Sequence, residues 1–486
     1  MKHSRLFFCL ICFTLSISLT TSGQTNVSGG IYSNTTWTLA NSPYIVTDTV
    51  VVFPGVILTI QPGVTVKFAD NIPLEVRQSQ LIALGTSIAP ISFTSNSGSP
   101  TPGIYSGIQL NAGNMISRFN YCNFEYAAFG LSTNTIPYTL TVKNSNVMSN
   151  QYGIYSVYST IDIDSCSFLK NTLVGLSGDG TVNHCTFLNN GVGLEGGGNY
   201  PSVVSNCLAD SNQTGIKYIV GPVLNSRIEY NQIGLTCMDY TAPNNCVISK
   251  NQIGINILSL GDTVRNCFID SNTIVGVRMF SDGMTYLTNC VIKSNGIGIS
   301  DSTHFSTHRA VIVKNYIEHN GIGIILSSDA DSISCNRICG NNSYDLKYLG
   351  TNNTNSVTHN YWCTPDSAST RQTIYDGYVD ASYGLVSFMP IDSSCFSGIT
   401  ASINEASVRP EVAIFPNPSN GIFSIALHNP SPSLIEFFNT LGETIQSVKI
   451  ISDQTTLNLS TQPKGIYFYR VLSESKLIGS GKLVIE

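Results

Sequence analysis

Ten times in succession between residues 145 and 341, a Ser, Cys or Asn is followed five positions later by an Asn. The leading column is Ser145, Cys166, Cys185, Cys207, Ser226, Cys246, Cys267, Cys290, Asn315 and Asn336, with Cys122 before it and Asn360 after it. The following column is Asn150, Asn171, Asn190, Asn212, Asn231, Asn251, Asn272, Asn295, Asn320 and Asn341. A Gly comes three or four positions later, at 153, 175, 193, 215, 234, 254, 276, 298 and 323. A period of about 18 to 25 residues has room for two or three short strands and tight bends, but not for a pair of helices. Each repeat is therefore one coil of a solenoid, with equivalent residues of successive coils ~4.8 Å apart. An Asn at a fixed bend can bond backbone or its neighbours above and below, a small Cys or Ser suits a tight inward column, and Gly is expected to supply the unusual dihedrals of a turn. The spacing varies after the Gly, so insertions should form loops along one edge.

Composition agrees with strands. Charged residues are 11% of the 486, well under the usual quarter, and the scarcity of Glu, Lys, Arg and Ala removes the common helix formers. A net charge of −6 without a basic stripe excludes nucleic acid as a partner class. At the N-terminus, Lys2 and Arg5 precede the apolar stretch Leu6–Leu19, and small residues at Thr21 and Gly23 suit cleavage before Gln24. Residues 1–23 are thus expected to be a signal peptide. No later apolar stretch reaches spanning length, so no transmembrane segment is expected in the mature chain.

Segments such as Val182-Asn-His-Cys-Thr-Phe-Leu-Asn-Asn-Gly-Val-Gly193 and Leu287-Thr-Asn-Cys-Val-Ile-Lys-Ser-Asn-Gly-Ile-Gly298 resemble the right-handed parallel β-helix repeat proteins of the pectate-lyase-like superfamily. Leu58-Thr-Ile-Gln-Pro-Gly-Val-Thr-Val-Lys-Phe68 is similar to their opening coils, and Asn360-Tyr361-Trp362 with Gly384-Leu-Val-Ser-Phe388 to their closing segment. The resemblance implies a β-helix over 24–396, with opening coils to 118, regular repeats over 119–346 and closing coils from 347.

Of fourteen cysteines, two lie in the signal peptide and seven in the leading column, where they are expected to fill core. Beyond residue 23, no Cys-x-x-Cys pair or His-rich tract suggests zinc. Cys339 and Cys363 each lie three residues after a column Asn in neighbouring coils, within bridging distance, although spacing alone leaves open whether they bond.

A polar linker over 397–410 leads into 411–486, whose alternating segments imply a small antiparallel β-sandwich. Pro416-Asn417-Pro418 with Gly421, the Leu441-Gly442 turn, Pro463-Lys464-Gly465-Ile466-Tyr467 and the closing Lys482-Leu483-Val484-Ile485 resemble the type A C-terminal sorting domain of the type IX secretion system. Glu486 departs from that pattern. The resemblance implies the secretion machinery as a partner and delivery to the cell surface or the medium, with removal of the domain or attachment left open. The whole chain is expected to be all-β.

In β-helix lyases and hydrolases, the resemblance places catalysis on the outer face of one sheet. The outward column two residues after each Gly reads Ser132, Tyr155, Ser177, Glu195, Lys217, Thr236, Asn256, Arg278, Ser300, Ile325. Glu195 and Lys217 are charged neighbours one coil apart, read as a surface ion pair with an acid/base pair as the alternative. Arg278 is four coils from Glu195, or ~19 Å, too far to share a substrate atom. Asp329 and Asp331 are candidate calcium ligands, a weak signal; no other cofactor is indicated. The paired-Asp, Gly-His-Gly and Arg-x-Lys signatures of β-helix hydrolases are absent. Two functions follow: a non-catalytic binder, adhesin or scaffold facing glycans, or a polysaccharide lyase or glycoside hydrolase using Glu195, Lys217 and Arg278.

Overall fold

The computed structural model describes residues 23–111, 116–259, 261–280, 283–302, 309–327, 331–351 and 354–396, then 412–415, 417–427, 433–439, 443–450, 454–473 and 476–485. The expected signal peptide but for Gly23, the linker 397–410, and Asp329, Pro416, Leu441, Gly442 and Glu486 lie outside these residues.

The first unit is a parallel β-solenoid of about 14 turns. Each regular turn contributes three strands, and each strand pairs in parallel with its equivalent one turn on, as in Val182↔Val204 on the first face, Phe187↔Ala209 on the second and Leu194↔Ile216 on the third. Apolar residues at these positions stack inward as one core running from Trp37 to Phe388. Among the described residues the single α-helix, Ser367–Gln372, lies in the closing segment, capped by Asp366, whose carboxylate accepts from the Ala368 and Ser369 amides. Arg371 there meets the fully buried Asp376 at 2.6 Å and donates to the Val386 carbonyl.

The corners explain the repeat. Before each leading-column residue and each following Asn stands a residue of positive φ, for example His184 (49°) and Asn189 (57°), Asn245 (57°) and Lys250 (57°), Asn289 (55°) and Ser294 (55°). These bends turn the chain without Gly, save before Asn341, where Gly340 takes the positive φ. The expectation that the repeat glycines supply the turn dihedrals is therefore corrected: Gly153 to Gly323 of that column are not in the positive-φ region. They are needed for close approach, since a Cβ on Gly234 would lie 2.6 Å from the carbonyl oxygen of Gly254, and one on Gly254 2.5 Å from that of Gly276.

The Asn residues run in one line along the solenoid, buried to within a few per cent from Asn150 to Asn320 and half-buried at Asn341. Asn251 is representative: its Oδ1 accepts from the backbone N–H and the side-chain amide of Asn231 at 2.9 and 3.0 Å, while its own Nδ2 donates to Ile228 O and Asn272 Oδ1, each at 3.0 Å. Where the line ends, Asn341 donates instead to the carboxylate of the buried Asp345 at 2.8 Å. The Cys column behaves similarly with weaker groups. Each thiol is buried; that of Cys207 bonds the Ser205 carbonyl at 3.1 Å, and Ser226 Oγ takes the Cys207 amide. A third corner carries another polar column: Ser159 Oγ accepts from Ile136 N, Ser202 Oγ from Gly180 N, and Asp262 Oδ1 from Thr241 N. Asp331 belongs here, bonded at 2.8 Å to Ala310 N, so the structure gives it a structural role at a corner.

Cys339 and Cys363 are disulfide-bonded, and a second bridge joins Cys335 to Cys395. Both tie the closing coils together in a compartment that permits oxidation.

The second unit has a three-stranded and a four-stranded antiparallel sheet sharing a core of Phe423, Ile425, Ile435, Phe437, Leu457, Val471 and Leu483. Both sheets feed this core, which makes a small sandwich.

Removing one ladder amide strands buried donors and acceptors in two neighbouring turns, each costing ~1–3 kcal/mol. Asn251→Ala should therefore lower stability by roughly 3–5 kcal/mol, against less than about 1.5 kcal/mol for Cys267→Ser. Thermal denaturation of the two variants checks this, and equal small losses would contradict the account of the corner.

Candidate functional site

The third face carries the outward column after each Gly. Its register pairs Tyr155↔Ser177, Ser177↔Glu195, Glu195↔Lys217, Lys217↔Thr236, Thr236↔Asn256, Asn256↔Arg278 and Arg278↔Ser300. Lys217 Nζ lies 2.9 Å from Glu195 Oε1, both side chains about a quarter exposed, and the ammonium also sits 5.0 Å over the Tyr218 ring. Arg278 joins neither; its Nε donates to Asn256 Oδ1 at 2.8 Å. The structure thus brings Glu195 and Lys217 together and leaves Arg278 with a neutral partner.

Next to this column, where third-face strands give way to the first face, loops of unequal length line one edge. They expose Tyr158 (59%), Tyr200 (41%), Tyr240 (64%) and Phe280 (50%), with Met238 and Leu258 among them. Tyr200, Tyr218, Tyr240, Leu258 and Phe280 come from five consecutive turns, each following the outward-column residue of its turn, so one such residue per turn lies on this edge along the axis. At one end of the third face, Phe129 stacks on Tyr152 with ring centroids 5.0 Å apart, and Tyr155 packs edge-on to Tyr152. This arrangement offers flat apolar surfaces next to neutral hydrogen-bonding groups, and few charges.

The sequence reading missed the loop row because its spacing from the repeat is irregular. It also missed a column of carboxylates on the second face, Asp210, Glu229, Asp270 and Glu318, three residues after the leading column. The signal was available, since Cys339 and Cys363 occupy that same offset. Glu229, 2% exposed, is held by Arg227 at 3.0 Å and by the Ser249 hydroxyl at 2.6 Å; Glu318 pairs with Arg337 at 3.1 Å. Ser211 and Ser271 donate to Asp210 and Asp270. The acids of this face are satisfied internally.

In the C-terminal unit the motif residues stitch strands. Asn417 donates to Lys482 O at 2.7 Å and accepts from Val484 N at 2.8 Å, and the Tyr467 hydroxyl donates to Pro463 O. Gly421 has φ 91° and packs where a Cβ would meet Ser460 at 2.7 Å. Gly465 pairs with Ile485, and Pro418 follows Asn417 through a cis peptide bond.

Three family models match the chain: a right-handed β-helix region over residues 131–262, the periplasmic copper-binding protein NosD over 222–380, and the secretion system C-terminal sorting domain over 413–486. No curated protein matches. Among solved structures, the chain is similar to the A-module of the mannuronan C-5 epimerase AlgE4 of Azotobacter vinelandii, at 12% identity and a TM-score of 0.37, covering 64% of this chain and 89% of that one. The periplasmic alginate epimerase AlgG aligns at 12% identity and a TM-score of 0.36, covering 63% and 78%. The fold of the chain is a right-handed parallel β-helix, with residues 131–262 matching the right-handed β-helix region. The chain ends in a type IX C-terminal sorting domain, which marks it for export to the cell surface or the medium.

Copper in the name of one matching family sets a test for the donors present. The free thiols, those of the column and Cys237, lie inside the coil, and burial pushes the thiols of Cys122, Cys237 and Cys267 well up, which keeps those three protonated. His184, His319 and His359 stand outside on positive-φ bends. Among the described residues, no three His, Cys, Asp or Glu side chains converge as a metal site would require. These residues do not fit a copper centre.

An ion pair on adjacent turns, a quarter exposed, contributes ~0–1 kcal/mol, whereas a catalytic acid or base is worth ~10²–10⁴ in rate. Glu195→Gln and Lys217→Met should each leave stability within about 1 kcal/mol of the parent and remove no polysaccharide turnover. A parent activity that collapses in either folded variant would make this pair an active site. Deleting 411–486 should leave a folded β-helix in the periplasm, detected by fractionation; normal surface delivery of the truncation would contradict the sorting role.

Proposed function

We propose that this chain, made with a signal peptide over 1–23 and joined to its sorting domain through the 397–410 linker, acts outside the cell as a non-catalytic glycan binder. The observation that carries the reading is the row of exposed rings and apolar side chains on the loop edge. Aromatic faces stack on the apolar C–H faces of sugar rings, and here they flank a column of Ser, Thr and Asn groups able to bond sugar hydroxyls. The reading is also supported by the engagement of Glu195 with Lys217 and of Glu229 with Arg227, which leaves the acids of both faces partnered. A rigid solenoid keeps the row in line without any cost of ordering on binding.

A glycan array with neutral and uronic oligosaccharides should identify a bound class. Tyr240→Ala and Phe280→Ala should then each weaken binding of the best glycan about tenfold, a loss of ~1.4 kcal/mol, with unfolding temperature unchanged. Affinity that survives both substitutions would remove the loop edge as the binding surface.

A further inference from the structure

The turn that bears Glu195 carries the loop 196–202, Gly-Gly-Gly-Asn-Tyr-Pro-Ser, and the turn beneath it carries none. In place of a loop that lower turn has Gly178-Asp179-Gly180, continuous with its strand. Gly178 and Gly180 have φ of 153° and 142°, and a Cβ on Gly180 would lie 2.2 Å from Ile161 O. Only glycines allow this close passage, which places the Asp179 side chain under the loop of the next turn.

The Asp179 carboxylate is 2% exposed and has no cation among its described partners. Its Oδ1 accepts from the amides of Gly197 at 2.7 Å and Gly198 at 3.1 Å, and its Oδ2 from those of Asn199 at 2.8 Å and Tyr200 at 3.1 Å. The Ser202 hydroxyl completes the cradle, donating to Oδ1 at 3.4 Å while accepting from Gly180 N at 3.1 Å. Four successive backbone N–H groups thus converge on one anion from the neighbouring turn. Such charge-assisted bonds are about twice as strong as neutral ones. A seven-residue loop with three glycines would otherwise sample many conformations, and fixing it carries an entropy cost at every residue.

We infer that Asp179 is a positioning residue: it fixes loop 196–202 and so presents Tyr200 beside the Glu195–Lys217 pair as a preformed ligand contact. This rests on the glycan-binding reading for its functional half, while the clamp itself rests on the hydrogen bonds alone. The ring contributes the contact, and the carboxylate one turn below sets where the ring stands.

The experiment compares the parent with Asp179→Ala, Asp179→Asn, Tyr200→Ala and the Asp179→Ala/Tyr200→Ala double variant in the full chain. Amide hydrogen exchange is followed over residues 197–200, and binding of two probes, a neutral β-glucan hexasaccharide and a hexagalacturonate, is titrated. Asp179→Ala should speed exchange of those amides by on the order of tenfold or more, with Asp179→Asn, which keeps one acceptor oxygen, intermediate. For whichever probe binds, Asp179→Ala and Tyr200→Ala should weaken affinity by a similar factor and the double variant by no more than either. Unchanged exchange in Asp179→Ala would overturn the clamp whatever the glycans do. Faster exchange with full affinity retained would overturn the positioning role. A parent that binds neither probe while Asp179→Ala loses protection would count against the glycan reading and leave the clamp standing.

Discussion

The structure depends on one hydrogen-bonding problem, posed at every corner. A parallel coil must reverse direction three times per turn, and each reversal takes backbone groups out of the sheet ladders and into the interior. The chain answers with a side chain that imitates the backbone. At one corner each buried Asn accepts from the amide of the equivalent Asn one turn earlier and donates to its counterpart one turn later, so that the hydrogen bonds between turns continue through the bend. At the other corners Cys, Ser, Thr and Asp do this with fewer or weaker bonds. Stacking of the apolar core follows, since inward residues stay in register only if the bends do.

This explains which features were legible in the amino-acid order. The Asn line is visible because the strand between two bends has constant length, fixing the interval of five. The solenoid follows from such fixed intervals, whereas the sorting domain was legible as a resemblance carried by motifs such as Pro416-Asn417-Pro418 and Pro463 to Tyr467. The role of the repeat glycines was misread because a Gly beside a bend suggests positive φ, whereas residues such as Lys250 and Ser294 take that conformation and the glycines make room for a neighbouring carbonyl. The loop rings stayed hidden because they sit at unequal distances from the repeat. Asp179 gave no signal at all: its partners are backbone N–H groups of a different turn, and backbone has no letter in a sequence.

The functional face and the scaffold divide the chemistry between them. Cysteines of the column within the coil are buried and free, whereas those three residues after a column Asn, at 339 and 363, form a disulfide. Charges follow the same division, with Glu229 and Asp376 locked into local pairs and the rings of Tyr158, Tyr200 and Tyr240 well exposed. What remains available for contact is flat, apolar and edged with neutral polar groups.

The asparagine line also has a direction. One amide hydrogen of each Asn bonds a carbonyl of the turn before, but the link from Asn to Asn runs only toward the C-terminal end, so the column is a vector with an acceptor tail and a donor head, and its head is met by the Asp345 carboxylate, an acceptor where the Asn acceptors run out. A turn duplicated anywhere between Asn150 and Asn341 would slot into the vector without leaving an unmatched group. A turn appended beyond Asp345 would face a carboxylate where it needs an amide. Repeat number in such a coil is therefore free to drift from within, while the carboxylate acts as a terminator that travels with the end of the array.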